Sequence, residues 1–242
     1  MALVTGSAQG IGQALAVGLA HYGATVVATD LDGDRLGATA NLLGELGQPH
    51  LTCRLDVVDR ARIDEVIALV VDRFGRIDVL VNNAGIRIPK PTLQTSDEEW
   101  DRVMAVNLRA TFILCRQVGR HLVERRAGCI VNVASQLGHV GLGERAAYCA
   151  SKAGIVNLVR SLAIEWAPYN VRVNALCPGP IRTPYHDTPE TRHHQAAVVA
   201  KVPLGRAGEV EELIGATVFL ASDASSFVTG ASIVVDGGYL AQ

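Results

Sequence analysis

Near its start the chain reads Ala2-Leu3-Val4-Thr5-Gly6-Ser7-Ala8-Gln9-Gly10-Ile11-Gly12. The four apolar or β-branched residues predict a short buried strand, and the glycines after them predict a tight turn. From Gln13 to Tyr22, apolar residues recur at helical spacing, and Gly23 is a typical residue to end that helix. This stretch therefore predicts the strand, turn and helix that open an α/β fold.

The alternation of strand and helix continues along the whole chain. Strands are predicted at 2–5, 25–30, 51–57, 77–82, 129–134, 172–176 and 232–236, and helices at 13–22, 34–46, 63–74, 96–124, 147–167 and 210–221. Nearly continuous apolar strands separated by helices are typical of a parallel sheet covered on both faces. We predict one doubly wound Rossmann domain over residues 1–242, with about seven strands and a substrate loop at about 184–203.

Composition excludes several functional classes. The 242 residues carry a net charge of −2 and are 49% hydrophobic, which gives no basic surface for nucleic acid. The apolar runs are strand-sized and shorter than a membrane span. Five cysteines without a C-x-x-C pair indicate reduced thiols in a cytoplasmic protein. Because a strand begins at residue 2, we expect no targeting segment.

Three side chains predict proton-transfer chemistry. Tyr148 and Lys152 are four residues apart, so they project from the same face of a helix. A nearby ammonium favours the phenolate, which predicts a Tyr148 pKa lowered towards neutrality. Ser135, thirteen residues before the tyrosine, could bind the oxygen that gains or loses the proton. The spacing alone also fits a surface lysine beside a half-buried tyrosine.

The glycine turn and the end of the second strand predict a dinucleotide site. The turn has the spacing Gly-x-x-x-Gly-x-Gly, and its glycines allow close approach of a pyrophosphate that faces the helix N-terminus. Asp30 ends the second strand eighteen residues after Gly12, where its carboxylate can accept hydrogen bonds from ribose hydroxyls. It would repel a 2′-phosphate, and neither the turn nor Leu31 adds a basic residue. NAD(H) is therefore the expected cofactor.

Taken in order, these motifs resemble those of the short-chain dehydrogenase/reductase family. The resemblance covers residues 3–238 and rests on Thr5–Gly12, Asp56, Asn82-Asn83-Ala84-Gly85, Asn107, Ser135, Tyr148, Lys152 and Pro178-Gly179-Pro180-Ile181-Arg182-Thr183. It implies an NAD(H)-dependent enzyme that interconverts a secondary alcohol and a ketone. Tyr148 would be the general acid or base, Ser135 would orient the substrate, and Lys152 would lower the tyrosine pKa and bind ribose.

The resemblance also implies contacts with the cofactor. Asp56 would bind the adenine amino group beside Val57, and Ile181 and Thr183 would hold the carboxamide. Asn107 would hold a water that relays the proton, whereas Asn82 is expected to brace neighbouring strands. The full implied set is Gly6, Gln9, Gly10, Ile11, Gly12, Asp30, Leu31, Asp56, Val57, Asn83, Ala84, Gly85, Tyr148, Lys152, Pro178, Gly179, Ile181 and Thr183.

The loops after the fourth, fifth and sixth strands are expected to choose the substrate. Their candidate contacts are Arg87, Gln136, His139, Arg145 and Tyr185. The run from Asn83 to Arg87, with Lys90-Pro91, is similar to gluconate 5-dehydrogenases and related sugar and polyol members. An arginine there could pair with a sugar-acid carboxylate, although a solvated loop arginine fits equally well. Two alternatives stay open, a 3-oxoacyl-thioester reductase and a non-catalytic NAD-binding sensor.

The assembly expected from the resemblance is a homotetramer. Apolar residues at Phe112, Ile113 and Cys115 on one long helix, and at 155–162 on the other, exceed one stripe facing a sheet. A second interface would use the last strand and Tyr239–Gln242. No metal is expected in the catalytic site, although some similar members hold Mg²⁺ at their last residue, here Gln242.

Overall fold

The computed structural model describes residues 1–184 and 196–242, which form one parallel sheet of seven strands with helices on both faces. The strands are β1 (Ala2–Thr5), β2 (Val26–Asp30), β3 (His50–Arg54), β4 (Val79–Asn82), β5 (Gly128–Val133), β6 (Val171–Pro178) and β7 (Ser232–Val235). Their order across the sheet is β3-β2-β1-β4-β5-β6-β7, and every pairing is parallel. The predicted doubly wound fold is confirmed.

Seven α-helices lie complete in the described part of the chain, which also contains a helical turn at 196–199. They are α1 (Gly10–His21), α2 (Leu36–Glu45), α3 (Arg60–Phe74), α4 (Asp97–Met104), α5 (Ala110–Arg125), α6 (Ala146–Trp166) and α7 (Ile214–Ala221). Ser96 and Glu99 form the predicted capping box at the start of α4, each side chain bonding the other's backbone N–H. None of these helices combines the length and the apolar character that a bilayer span requires.

The helices cover the sheet in two layers. One layer packs Leu15 and Leu19 of α1, Leu36 of α2 and Leu220 of α7 against one face. The other face carries α3, α5 and α6, whose buried residues include Ile63, Leu114 and Ile155. Because both faces are covered, the inner strands are apolar on both sides and read as continuous hydrophobic runs.

Strand order changes direction between β1 and β4. From β1 the chain first adds β2 and β3 on one side, and β4 then returns to pair with β1 on the other side. The loops leaving β1 and β4 therefore separate and open a crevice at the carboxyl ends of the strands, where ligands bind in folds of this kind.

Several element boundaries differ from those predicted. Strand β3 ends at Arg54 instead of residue 57, so Asp56 and Val57 lie in the loop beyond it. Helix α1 begins at Gly10, inside the glycine turn. The single helix predicted over 96–124 is divided by a π-helical segment at Ala105–Arg109, because hydrophobic spacing alone does not reveal an inserted residue in a helix.

The apolar surplus expected on α5 and α6 is mostly used within the protomer. Ile113 and Cys115 are buried, and so are Ile155, Val159 and Leu162. Of the apolar residues named on α5 and α6, only Phe112 is exposed, with 41% of its surface accessible. Among the residues named for a partner helix, Phe112 therefore leaves the most apolar surface for one, and the assembly stays a prediction.

Candidate active site

A cavity of about 830 Å³ opens at the carboxyl ends of the strands. All eighteen predicted cofactor residues line it, and so does Ser135; they come from the carboxyl ends of the strands, the loops after them and the helices α1 and α6. A volume of this size is typical of small-molecule and cofactor sites. The fold therefore brings the glycine turn and the proton-transfer residues into one site.

The glycine turn after β1 is shaped by close backbone approach. Gly6 has φ +66°, and a Cβ there would lie 2.8 Å from Ala84 Cα. Asn83 Nδ2 donates to the carbonyls of Thr5 at 3.1 Å and Gly6 at 2.9 Å, so this side chain holds the turn in place. A Cβ on Gly10 would point across the cavity towards Thr183, at 3.5 Å. The turn lines the cavity at the start of α1, where a pyrophosphate would face the helix N-terminus.

Asp30 is fixed at the end of β2 by two backbone donors. Ala8 N donates to Oδ2 at 2.9 Å, and Asp32 N donates to Oδ1 at 3.0 Å. Arg35, which the sequence reasoning missed, reaches back to the glycine turn and donates from Nη1 to Gln9 Oε1 at 3.2 Å. The same guanidinium pairs with Asp32 through Nε at 3.2 Å, so a partly neutralised positive group stands at the glycine turn.

Asp56 lies in the loop that follows β3, between Leu55 and Val57 in the cavity wall. Its Oδ1 accepts from Val58 N at 3.0 Å, which orients the carboxylate. Asn82 Nδ2 donates to Asn132 Oδ1 at 2.8 Å, so it links β4 to β5 as expected of a structural residue.

Helix α6 presents Tyr148 and Lys152 to the cavity one turn apart. Lys152 Nζ lies 5.6 Å from the Tyr148 ring centroid and donates to the Val133 carbonyl at 2.8 Å. A Cβ on Gly85 would lie 3.6 Å from the same Nζ, so the ammonium sits against the backbone after β4. Ser135 follows β5, and its hydroxyl, which accepts from Leu137 N at 3.1 Å, is near enough to the Tyr148 phenol to lower its pKa. The three side chains therefore lie in one part of the cavity wall.

The electrostatics of this group correct one prediction. Burial raises the pKa of Tyr148, and the Ser135 hydrogen bond and the Arg87 charge offset it only in part. The expected lowering towards neutrality by Lys152 is therefore wrong for this structure. Burial also lowers the pKa of Lys152, to about 8, which weakens the ammonium as a fixed charge near neutral pH.

Asn107 lies behind the cavity wall in the π-helical segment and is fully buried. Its Oδ1 accepts from Ile86 N at 2.8 Å, and its Nδ2 donates to Ile86 O at 2.9 Å and to Ser151 Oγ at 3.0 Å. Both amide hydrogens are used, so a water would have to donate to Oδ1 or to the main-chain carbonyl, which already accepts from Thr111 Oγ1 at 2.7 Å.

The predicted substrate contacts divide into three groups. Arg87, Gln136 and Arg145 line the cavity. His139 is exposed and is not among the lining residues, because it follows the 3₁₀ turn at Gln136–Gly138 and faces outward. Tyr185, with the first part of the expected substrate loop, lies outside the described residues. The sequence reasoning missed Arg102 and Glu144, two charged lining residues that no local motif marks.

No cluster of three metal-ligating side chains occurs within residues 1–184 and 196–242. The Gln242 side chain, named for a Mg²⁺ contact, donates to the Lys201 carbonyl. The described site combines a phenol, a hydroxyl, an ammonium and a glycine turn, which are the groups that proton transfer beside a nucleotide would use.

Comparison with known proteins agrees with this geometry. A family model described as enoyl-(acyl carrier protein) reductase matches residues 6–240. Among relatives, a D-threitol dehydrogenase of Mycolicibacterium smegmatis is 41% identical, with 99% of this chain and 92% of the relative covered. The 3-oxoacyl-[acyl-carrier-protein] reductase FabG of Thermotoga maritima is also 41% identical, covering 98% and 96%. The 5-keto-D-gluconate 5-reductase of Escherichia coli is 38% identical, covering 98% and 94%.

Solved structures show the same fold. Levodione reductase superposes with a TM-score of 0.95 at 35% identity, with 99% of this chain and 97% of that chain covered. An Agrobacterium tumefaciens protein with bound NADP gives a TM-score of 0.89 at 35% identity, covering 100% and 96%. The chain belongs to the short-chain dehydrogenase/reductase family and is an oxidoreductase. Members of this family use a nicotinamide cofactor.

Proposed function

We propose that the protein is an NAD(H)-dependent oxidoreductase that interconverts a secondary alcohol and a ketone on a small polar substrate. The observation that carries this proposal is the convergence of Ser135, Tyr148 and Lys152 on the cavity that the glycine turn also lines. A proton-transfer group beside a dinucleotide cradle suits alcohol oxidation better than any other reaction class.

The protein's own part in the reaction is to bind the carbinol and move its proton. Ser135 and Tyr148 hold the substrate oxygen, and Tyr148 accepts the proton on oxidation or donates it on reduction. Lys152 sits on the other side of the phenol and would carry the proton onward, past Asn107, towards solvent. The bound nicotinamide would supply the hydride chemistry.

The choice of NAD(H) follows from Asp30. Its carboxylate is fixed at the place where the adenosine ribose is expected, and a 2′-phosphate there would meet a negative charge. Arg35 works in the opposite direction, since its guanidinium reaches the same turn. We infer a preference for NAD(H) that Arg35 makes smaller than Asp30 alone would give.

The substrate is inferred from the charge of the cavity wall and from the relatives. Arg87, Arg102 and Arg145 line the cavity, with Glu144 as the opposing charge. That wall suits a polyol, a sugar or a sugar acid better than a long apolar chain. D-threitol dehydrogenase and 5-keto-D-gluconate 5-reductase are named for such substrates.

A second candidate function is the reduction of a 3-oxoacyl thioester. It is favoured by the reductase of Thermotoga maritima, which is as similar as the threitol enzyme. The charged side chains in the cavity wall and Asp30 argue against it, since neither helps to hold an acyl chain or NADPH.

The test is a substrate panel with both cofactors. Polyols, sugar acids, simple ketones and a 3-oxoacyl thioester are assayed by absorbance of the reduced nicotinamide. Turnover of a polyol or sugar acid with NAD supports the proposal, and faster turnover of the thioester with NADPH favours the second candidate. An absence of turnover with all of them, despite nucleotide binding, would instead support a non-catalytic sensor.

We also propose a homotetramer that works in the cytoplasm. Phe112 and Ile164 remain exposed on α5 and α6, and β7 is an edge strand with Phe227 fully exposed beside it. Two such surfaces on one protomer allow two two-fold interfaces and closed symmetry. Light scattering at low micromolar concentration should give four times the 25.6 kDa protomer mass, and a stable active monomer would contradict this assembly.

All five cysteines are free thiols, which suits the reducing compartment that we propose, the cytoplasm.

A further inference from the structure

Arg102 is a charged residue of the cavity wall that the proton-transfer chemistry does not use. It lies on α4, about one turn before Val106 of the π-helical segment, and both residues line the cavity. Within residues 1–184 and 196–242 its guanidinium makes no hydrogen bond and no ion pair, although Glu98 stands one turn earlier on α4, at a spacing that favours pairing. The donors of this group therefore remain for a ligand.

Contacts of Lys90 place this part of α4 beside the loop that precedes α6. Lys90 Nζ donates to both carboxylate oxygens of Glu99 at 2.9 Å, and Lys90 N donates to the Glu144 carbonyl at 3.0 Å. Glu99, one turn before Arg102, is thus already paired with another cation. Arg102 therefore stands with the loops after β4 and β5, away from Asp30 and the glycine turn on the other side of the switch point.

The same helix separates Arg102 from the reacting end of the cavity. Asn107 Nδ2 donates to Ser151 Oγ at 3.0 Å, and Ser151 Oγ donates to the Tyr148 carbonyl at 2.8 Å, which fixes the chain at Asn107 to α6. Arg102 comes five residues earlier, roughly 7 Å along the helix axis, and helical side chains lean further towards the N-terminus. Burial raises the pKa of Tyr148 and the Arg87 charge offsets it in part, so Arg87 is an arginine of the reacting end.

We propose that Arg102 binds a carboxylate of the substrate, several carbon atoms away from the carbinol that reacts, so that the enzyme selects sugar acids over neutral polyols of the same length. This rests on the proposed function, which admits sugars, polyols and sugar acids alike. A guanidinium presents paired N–H donors that match the two oxygens of a carboxylate, whereas a neutral polyol brings no charge. The separation also predicts which carbon is oxidised, because a carbinol next to the carboxylate would not reach Tyr148 while the acid stays on Arg102.

The discriminating experiment compares D-gluconate with D-glucitol, which share their hydroxylated chain and differ only in the acid group at C1. Both are assayed with NAD for the wild type and for Arg102→Gln, which keeps a polar side chain and removes the charge. The wild type should have a kcat/KM at least about tenfold higher on gluconate, and Arg102→Gln should raise the KM for gluconate at least about tenfold with little change in kcat. The kinetic constants of Arg102→Gln for glucitol should stay at the wild-type values. Carbon NMR of the gluconate product should place the ketone away from C2.

Arg109→Gln is the matched control, since Arg109 is exposed and lies outside the cavity wall, so that the same charge is removed elsewhere. It should keep the wild-type constants for both compounds. Arg102→Lys retains the positive charge and should recover part of the affinity for gluconate. Thermal unfolding should not distinguish Arg102→Gln from the wild type, because the guanidinium has no described protein partner. A lower Tm with equal losses on both compounds would show a structural residue and overturn the proposal.

The role of Arg102 and the proposed function can fail separately. A wild type that does not distinguish gluconate from glucitol, or a KM for gluconate that Arg102→Gln leaves unchanged, would overturn the role of Arg102 alone. So would a ketone at C2, or faster turnover of D-glucitol 6-phosphate than of gluconate, which would indicate a phosphate in place of the carboxylate. If gluconate does not react while a neutral polyol does, this inference fails and the proposed function stands. If no alcohol in the substrate panel reacts, both fail.

Discussion

Replacing Asp30 with alanine tests how the protein distinguishes NAD from NADP. The change removes one negative charge at the end of β2, where two backbone N–H groups hold the carboxylate in place. It leaves Arg35 beside the glycine turn in an ion pair with Asp32 at 3.2 Å, so the local charge changes from negative to nearly neutral. We expect the variant to accept NADP much better than the wild type does.

The size of the effect follows from Coulomb's law. A carboxylate about 5 Å from one unit of phosphate charge costs roughly 3 kcal/mol at an effective dielectric constant of about 20. Arg35 and salt reduce that value, and we therefore expect a wild-type preference for NAD of at least about tenfold, or about 1.4 kcal/mol. Asp30→Ala also frees the N–H groups of Ala8 and Asp32, at about 1 kcal/mol each, which weakens both cofactors together.

The assay compares kcat/KM for NAD and NADP with one alcohol at fixed ionic strength. The ratio of kcat/KM for NAD to kcat/KM for NADP should fall at least about tenfold in Asp30→Ala and rise in Arg35→Ala. Asp34→Ala removes an equal charge from an exposed position outside the cavity wall and should leave the ratio unchanged. A wild type that prefers NADPH, or an unchanged ratio in Asp30→Ala, would refute the reasoning.

Three further outcomes are expected. Tyr148→Phe should lower turnover about 10²-fold or more while NAD still binds, and more than a tenth of wild-type kcat would exclude its role as acid or base. Lys152→Met should abolish turnover. It should also raise the free energy of unfolding by about 2 kcal/mol below pH 8, because the buried ammonium of the wild type is destabilising while it is protonated. Urea unfolding should show that this gain in stability vanishes as the pH approaches 10.5. Burial raises the pKa of Asp78, but hydrogen bonds from Arg76, the N-terminal amine and Arg125 outweigh it and hold the pKa at about 2. Asp78→Asn should lower the free energy of unfolding by about 2 kcal/mol at pH 7. This difference from the wild type should disappear as the pH falls from about 4 to 2, because the wild type loses its carboxylate there.

The sequence predicted the fold because each strand and helix carries its own periodic signal. Seven parallel strands and their order of appearance follow from apolar runs and from the glycines that end the helices. The π-helical segment at Ala105–Arg109 was missed, because it inserts a residue without disturbing the hydrophobic stripe on either side. The end of β3 was placed too late for a related reason, as Leu55 and Val57 are buried in the loop as deeply as strand residues are.

The site could be predicted where it depends on strand ends and not where it depends on packing between distant segments. All predicted cofactor residues line the cavity, since the loops after parallel strands meet at one edge of the sheet. Arg35 could not be placed beside Gln9 from spacing, because α2 must first dock against α1. His139 was misjudged because a 3₁₀ turn, which no motif announces, directs it outward. The pKa of Tyr148 depends on burial, which a pair of residues on a helix face does not reveal.

The glycine turn near the start of the chain is braced by a residue 77 positions further on, since Asn83 donates to the Gly6 carbonyl. This contact forms only when β4 pairs with β1, after the first three strands have been made. Pairing between distant segments is slow compared with local helix formation, so the turn is among the late features to become ordered. A nascent chain that stops before residue 83 should therefore not bind dinucleotide, and capture on immobilised nucleotide of chains arrested at successive lengths would show when the site matures.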